Sequence, residues 1–191
     1  MKKSFFYAIT LLTACTMLMV GCKNNPNEPD QPEQPGQEEQ PTAAKAVAAV
    51  LDYTFEISED MLEVGDFTVF YYDSVGKIQS EQLTAPAWRK ITISALPAKL
   101  GVKLVGVLKE NYDPDKYEKI VFSTSYVAVT YRLDEKGEIV DKKKDTNRHS
   151  NSIDLPGQKV PAHFEKYKDH FLQAVYSFDE DGNKTELKEW E

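Results

Sequence analysis

Residues 47–57 alternate between apolar and polar side chains. Every odd position in this stretch is apolar, and the even positions are polar from Asp52 onward. A period of two is typical of a β-strand that buries one face. The pattern therefore predicts a first strand with Tyr53 and Phe55 on its buried side.

Further apolar segments follow at short intervals and predict about eight strands in all. They cover residues 67–72, 78–83, 88–96, 102–108, 119–133, 171–178 and 184–190. In the segment 119–133 the apolar positions change from even to odd near Ser123-Thr124-Ser125. A β-bulge at these three residues would reconcile the two phases.

A turn pattern of Asp followed three residues later by Gly occurs three times between predicted strands. The three pairs are Asp73 and Gly76, Asp134 and Gly137, and Asp179 and Gly182. Asp at the first position and Gly at the fourth suit a type I turn. We therefore expect three β-hairpins. The turn at Asp179 also resembles half of a calcium loop, but Trp190 stands where an EF-hand requires its bidentate Glu.

One segment departs from the strand pattern. Val160, Phe164, Tyr167 and Phe171 are spaced by four, three and four, and Pro161 suits a first helical turn. Many short strands with a single helical crossover predict an all-β fold, a two-sheet β-sandwich of immunoglobulin-like architecture. A closed barrel of the lipocalin type is the alternative.

The N-terminus carries the features of a bacterial lipoprotein signal. Lys2 and Lys3 precede an apolar run that ends in Met19-Val20-Gly21-Cys22. This run is shorter than the roughly 20 apolar residues of a membrane-spanning helix, and three threonines interrupt it. We interpret residues 1–21 as a signal peptide and Cys22 as the site of lipid attachment. The protein is then exported and lipid-anchored to the outer membrane, facing either the cell surface or the periplasm.

Residues 22–44 form the lipidated cysteine and a spacer. Pro26, Pro29, Pro32 and Pro35 recur every third residue among acidic side chains. A proline period of three suits the stiff polyproline II conformation. Residues 45–191 then make one domain. The only other cysteine, Cys15, lies in the signal, so the mature chain has neither a disulfide nor a cysteine nucleophile.

The chain is acidic, with a formal charge of −8 that becomes −10 when Lys2 and Lys3 leave with the signal. Phosphate backbones require a basic surface, so nucleic acid is not an expected partner. One local exception is a basic stretch, which we interpret as a solvated loop, with contact to an anionic glycan or lipid headgroup as the alternative. It contains Lys136, Lys142, Lys143, Lys144, Arg148 and His149.

The chain resembles the small envelope lipoproteins of Bacteroides and related bacteria. The resemblance rests on the lipobox, the acidic spacer and the Asp-x-x-Gly turns, together with Asp52-Tyr53-Thr54-Phe55 and Val69-Phe70-Tyr71-Tyr72-Asp73. It implies a β-sandwich domain of uncharacterised function that captures glycans or contacts other envelope proteins. In that family, acids directly after the cysteine direct export to the cell surface, whereas here the nearest acid is Glu28.

No catalytic, cofactor or metal motif stands out in the mature chain. The three histidines are His149, in the basic stretch, and His163 and His170, seven residues apart on the predicted helix. We read all three as surface or structural residues, and expect no enzyme activity, no cofactor and no metal.

Candidate ligand-binding residues are aromatic side chains beside polar turns, because flat rings cover the apolar side of a sugar. Tyr112 and Tyr117 bracket Asp113-Pro114-Asp115, and Trp88 opens a strand after a loop. The alternative is that these rings close the ends of the sandwich. We expect a non-catalytic binding module for glycan or protein. A structural component of a surface complex is the alternative, and a hydrolase with an unrecognised site is a third hypothesis.

Overall fold

The computed structural model describes residues 44–190, and within that range the chain forms nine strands and two short helices. The strands are β1 (Ala48–Ile57), β2 (Gly65–Tyr72), β3 (Ile78–Gln82), β4 (Ala87–Ala95), β5 (Ala98–Leu108), β6 (Ile120–Leu133), β7 (Ile139–Leu155), β8 (Leu172–Phe178) and β9 (Lys184–Leu187). The helices are α1 (Glu59–Val64) and α2 (Val160–Lys166), and 3₁₀ turns lie at Pro114–Lys116 and Gly157–Lys159. The predicted signal peptide, Cys22 and nearly all of the spacer lie outside the described residues.

Two antiparallel sheets confirm the predicted all-β sandwich. Sheet A has the strand order β4-β1-β6-β7, and sheet B has the order β3-β2-β5-β8-β9. Because the strands divide between two sheets, the barrel alternative is wrong. Eight strands agree with the predicted segments to within a few residues, and β7 is the additional strand.

The core lies between the inner faces of the two sheets. In β1 the odd residues Leu51, Tyr53 and Phe55 are buried as the alternation predicts. They face Val69 of β2 and Leu104 of β5 across the sandwich, within one continuous apolar cluster. Burial of one face per strand explains why period-two patterns locate these strands.

All three predicted hairpin turns are present. Gly76, Gly137 and Gly182 have φ angles of 75°, 79° and 79°, which glycine adopts without strain. In the first turn the Asp73 carboxylate accepts hydrogen bonds from the backbone N–H groups of Val75 and Lys77. Asp134 and Asp179 repeat this arrangement in their own turns. The side chain of Asp thus fixes each turn, as the spacing predicts.

The three turns lie at the same end of the sandwich, which we call the hairpin end. The described chain also enters there, since Val47 donates a backbone hydrogen bond to Leu133. Gly182 lies against Ala46 and Leu96 at this end. At the opposite, helical end, α1, α2 and the two 3₁₀ turns connect the strands.

The interpretation of the basic stretch as a loop holds for Lys136, which lies in the turn between β6 and β7, and is wrong for the other residues of the stretch. Residues 139–155 form β7, which pairs with β6 from Ile120 opposite Leu155 to Tyr131 opposite Lys144. Both faces of β7 are polar, so no period of two marks the strand in the sequence. Charged side chains are typical of an edge strand, because they discourage pairing with other chains.

The predicted bulge at Ser123-Thr124-Ser125 is also wrong. Strand β6 pairs regularly there, and its register shifts instead between Tyr131 and Leu133. The two apolar phases arise because even residues such as Phe122 face the core while odd residues such as Val129 lie on the outer face of sheet A.

The helical segments differ in part from expectation. Helix α1 was not predicted, although its residues Met61 and Val64 are buried in the core. The predicted helix is present as α2 but ends at Lys166, and Phe171 follows it in the connection to β8. Helix α1 has six residues, too few for a clear helical period, whereas the apolar spacing that predicts α2 continues past its end to Tyr167 and Phe171.

Candidate functional site

A row of aromatic rings crosses the inner face of sheet A from one edge strand to the other. Successive ring centroids lie 5.4 Å apart from Trp88 to Phe55, 6.3 Å from Phe55 to Tyr53, 5.3 Å from Tyr53 to Tyr126 and 5.7 Å from Tyr126 to His149. The strand order places these rings side by side, because β4, β1, β6 and β7 are neighbours. The row begins at Trp88 on one edge of the sheet and ends at His149 on the other.

The hydroxyl of Tyr53 is the unusual group in this row. Tyr53 is fully buried, yet its hydroxyl oxygen has no hydrogen-bond partner among the described residues. Leaving such a group unpaired costs about 1–3 kcal/mol. Burial raises the pKa of Tyr53 strongly, and the neighbouring hydroxyls of Tyr126 and Tyr176 raise it further. Tyr53 lines neither of the two surface depressions described next, so its hydroxyl belongs to the core.

Tyr176 lines an open groove between the edge strands of the two sheets, which we call the β7–β9 groove. Strand β9 has only four residues and covers a short part of the long β7, so the sandwich stays open on this side. The groove consists of two overlapping depressions of about 280 and 320 Å³. Residues in both depressions are Thr130, Asp145 and Lys184; the inner half adds Ala128, Thr146, Asn147, Tyr176 and Glu186, and the half at the hairpin end adds Tyr131, Arg132, Lys143, Phe178, Gly182 and Asn183.

Polar contacts link the two walls of the groove. The Nζ atom of Lys184 lies 3.1 Å from the hydroxyl of Thr130 and 3.2 Å from the carboxylate of Asp145. Asn147 donates a long hydrogen bond of 3.5 Å to the hydroxyl of Tyr176. The walls thus present hydroxyl, amide, ammonium and carboxylate groups to a single space.

The inner half of the groove contains one protonated phenol, Tyr176, whereas Tyr126 of the aromatic row lies outside the groove. Burial raises the pKa of Tyr176 to about 12, and the charge of Glu186 contributes to the shift. Burial also raises the pKa of Tyr126, again with a contribution from Glu186. At neutral pH both side chains therefore remain hydroxyl groups that can donate and accept hydrogen bonds.

Trp88 lies at the far end of the aromatic row from this groove. Its ring packs on Phe55 and on Tyr71, and its indole N–H donates a hydrogen bond to Glu81. Both the ring and its polar atom are thus engaged within the protein. Trp88 closes the β4 side of the core, and its role in ligand binding stays a prediction.

Tyr112 and Tyr117 lie together at the helical end. Their rings stack with centroids 5.7 Å apart and planes inclined by only 6°. The hydroxyl of Tyr112 donates to the carbonyl of Gly157, and that of Tyr117 donates to Glu63 of α1. The pair ties the connection before β6 to the elements around it. A ligand would have to displace these bonds, so the assignment of the two rings to binding stays a prediction.

The histidines occupy three different settings. His149 ends the aromatic row at the exposed edge of β7, while His163 packs between Phe122 and Tyr167, with centroids 4.7 Å from each. Burial lowers the pKa of both His163 and His170. Within residues 44–190, no three His, Cys, Asp or Glu side chains are placed to hold a metal ion.

Sequence reasoning missed most of the β7–β9 groove. Asp145 and Asn147 lie in the stretch whose polar pattern predicts a loop. Lys184 and Glu186 belong to a strand that carries no distinctive motif. Tyr53 was predicted to be buried, but its missing hydrogen-bond partner is visible only in three dimensions. The charge alternation in Lys184-Thr185-Glu186 is the one signal in the sequence that a polar wall would leave.

Comparison with family models, curated proteins and solved structures finds no match for this chain. Among residues 44–190, no helix has the length and apolar character needed to cross a membrane. Function must therefore be argued from the groove and from the sequence features already described.

Proposed function

We propose that this chain is a lipid-anchored envelope protein whose sandwich domain binds carbohydrate without catalysing a reaction. The lipobox at Cys22 and the acidic proline-rich spacer support export and anchoring. The β7–β9 groove supports the binding role.

The observation that carries the proposal is the set of hydrogen-bonding side chains that the two edge strands bring to one groove. Thr130, Asn147 and Tyr176 line its inner half, and Lys184 lies 3.2 Å from the carboxylate of Asp145. Asn147 approaches the hydroxyl of Tyr176 only to 3.5 Å, so both groups keep hydrogen-bonding capacity for a ligand. A ligand with several hydroxyl groups can use that capacity.

The composition of the groove fits a polyhydroxylated ligand. Sugars require many short-range donors and acceptors, and the walls provide Thr130, Asn147, Tyr176 and charged groups at their rims. A volume near 300 Å³ lies at the lower end of the range for small-molecule sites. The shallow, open shape suits one or two rings of a longer glycan.

Two carboxylates, Asp145 and Glu186, line the groove, and the ion pairs of Asp145 support binding rather than glycoside hydrolysis. Glycoside hydrolysis needs one carboxyl group that is protonated and a second that is free to act as base or nucleophile. Asp145 is instead held by the ammonium group of Lys184 at 3.2 Å and lies 3.9 Å from that of Lys143. Its role is to position cations.

The test is Tyr176→Phe in the full exported chain, kept soluble by Cys22→Ser, on a glycan array. The unfolding free energy should change by less than about 1 kcal/mol, since this hydroxyl accepts one long hydrogen bond, from Asn147. Affinity for the glycan that the parent chain binds should fall about tenfold, the loss of one well-placed hydrogen bond.

Tyr112→Phe is the matched comparison, because it also removes one hydroxyl. That hydroxyl is bonded to Gly157, so we expect a loss of about 1 kcal/mol of stability and unchanged binding. If Tyr112→Phe weakens binding and Tyr176→Phe does not, the stacked tyrosines are the site and the groove is not. An array without any hit would remove the carbohydrate proposal.

A second candidate function is that of an assembly component, which the outer face of sheet A favours. Ile91 and Ile93 of β4 are each about half exposed there, next to Val50 of β1. Apolar side chains grouped on an exposed face are typical of protein contacts. Lysine substitution of Ile91 and Ile93 would then disrupt a complex purified with the chain and leave glycan binding unaffected.

A further inference from the structure

The half of the β7–β9 groove at the hairpin end carries more positive than negative charge. Arg132, Lys143 and Lys184 line it, while Asp145 is the one carboxylate among its lining residues. Asp145 lies 3.2 Å from Lys184 and 3.9 Å from Lys143, so a single carboxylate serves two ammonium groups. Arg132 pairs with Asp141 at 3.1 Å. One positive charge in this half of the groove is therefore without a counter-charge of its own.

The acidic turn beside this half does not supply that counter-charge. The carboxylate of Asp179 accepts hydrogen bonds from the backbone of Asp181 and Asn183, and from the side chain of Asn183. These bonds lower the pKa of Asp179 and hold its charge within its own turn. Glu180 and Asp181 are exposed on the turn and do not line the groove.

Strained backbone borders the cationic wall. Asp141 and Lys142 have φ angles of 56° and 52°, a left-handed conformation that costs about 1–2 kcal/mol per non-glycine residue. They belong to a bulge, since Tyr131 pairs with Lys144 and Leu133 with Ile139, which leaves four residues of β7 opposite Arg132 alone. Bulges commonly re-aim side chains next to binding sites, and strain of this kind gathers there.

The bulge makes the cationic wall possible. Asp141 and Lys142, at its centre, follow Val140 and precede Lys143 and Lys144. Lys143 lines the groove, and the ammonium group of Lys144 lies over the ring of Tyr131. A regular ladder would give β7 one residue opposite Arg132, whereas the bulge brings both Asp141 and Lys143 to the neighbourhood of that guanidinium. The net charge of the chain is −8, so three cations along one wall form a local exception to its acidity.

We infer that the groove selects glycans carrying an acidic substituent, a carboxylate or a sulfate ester, which binds between Lys143, Lys184 and Arg132. The inference rests on the proposed carbohydrate function and specifies its ligand class. The sugar ring lies toward Thr130, Asn147 and Tyr176 in the inner half, and the acid lies toward the hairpin end. Asp145 supplies one negative charge for two lysines, and an anion bound there pairs with the second positive charge.

The test is a glycan array on which acidic glycans are printed beside their neutral counterparts. The pairs include trigalacturonate with its methyl ester, and lactose 3′-sulfate with lactose. The full exported chain bearing Cys22→Ser is applied, and affinities of the hits are measured by calorimetry. We expect the acidic member of a pair to bind about tenfold more tightly than the neutral one, and the preferred pair identifies the substituent.

Lys143→Gln is the diagnostic variant, because Lys143 is exposed and its one ion pair within residues 44–190 is with Asp145 at 3.9 Å, so the fold should not depend on it. It should reduce binding of the acidic glycan about five- to tenfold and leave binding of the neutral one unchanged. Lys77→Gln is the matched control, since it removes the same charge from the turn between β2 and β3 and should change neither affinity.

Each outcome separates the inference from the function beneath it. Equal binding of acidic and neutral members overturns the selection of acids and leaves the carbohydrate function in place. Equal effects of Lys143→Gln and Lys77→Gln show that the preference is a long-range effect of net charge, and the assigned anion site is then wrong. An array without hits overturns the carbohydrate function and the inference together.

Discussion

His163 shows how a polar side chain is retained inside an aromatic cluster. Its ring lies 4.7 Å from the rings of both Phe122 and Tyr167 and 6.2 Å from that of Phe171. Burial among these rings lowers the pKa of His163, and the charge of Lys166 lowers it further. The neutral imidazole is thus the form that the folded protein favours.

The lowered pKa predicts a loss of stability in mild acid. Unfolded histidine takes up its proton near pH 6.5, before the folded form does. Stability is therefore full above about pH 6.5 and decreases as the pH falls toward the folded pKa. Urea unfolding at pH 7.5 and at pH 5 should show this decrease, and His163→Phe should make it smaller.

His170 provides the comparison at the same scale. Its pKa is also lowered by burial, with Lys103 acting in the same direction and Asp169 opposing it. His170→Phe should therefore also make the dependence smaller. If the unfolding free energies of the parent and of both variants changed equally between the two pH values, the effect would belong to other groups.

At the scale of a single strand, the bulge of β7 predicts a stabilising substitution. Lys142 has a φ angle of 52°, and glycine adopts such a conformation freely. Lys142→Gly should raise the unfolding free energy by about 1 kcal/mol. Thermal or urea denaturation measures the change.

Lys144→Gly is the matched control two residues further along β7. Lys144 pairs regularly with Tyr131, and its ammonium group lies 4.9 Å from the centre of that ring. Glycine there should lower the unfolding free energy by about 0.5–1 kcal/mol. A loss in both variants would mean that the bulge carries no strain for glycine to relieve.

The strands with one wet face were predictable, and those without a simple contrast between faces were not. From Asp52 onward β1 has buried odd residues beside polar even ones, so its period of two marks it clearly, although the buried even residue Val50 precedes them. β6 has apolar residues on both faces, because Val127 and Val129 lie on the apolar outer face of sheet A. β7 has polar residues on both faces, because it is the edge strand of sheet A and is open to water.

The same reasoning explains the limits of site prediction. Aromatic residues beside loops drew attention to Trp88, Tyr112 and Tyr117, but the structure gives each of them partners within the protein. The groove depends on the meeting of β7 with β9, strands more than 25 positions apart in the chain. The ion pair between Asp145 and Lys184 therefore depends on the tertiary structure and leaves no local pattern in the sequence.

At the scale of the whole molecule, the proposed anchor predicts a separation between retention and folding. Cys22 lies outside the described residues, and the apolar core of the described sandwich is built from residues between Ala49 and Phe178. Cys22→Ser should therefore release the protein from membranes and leave its unfolding midpoint unchanged. Fractionation of expressing cells measures the first and urea denaturation the second. A mutant that remained with the membrane would contradict lipid anchoring.

The central position of β1 has a consequence for the order in which the molecule assembles. β1 lies between β4 and β6, and its ladder with β6 places Ile57 opposite Thr124 and Ala48 opposite Leu133, separations of 67 and 85 residues. The ribosome completes β1 first, yet that strand cannot be paired on both sides until residue 133 has followed. Contacts of such long range make folding slow. Sheet A of the nascent chain consequently remains incompletely paired until β6 has been synthesised. An incompletely folded chain is the state that the proposed export across a membrane requires.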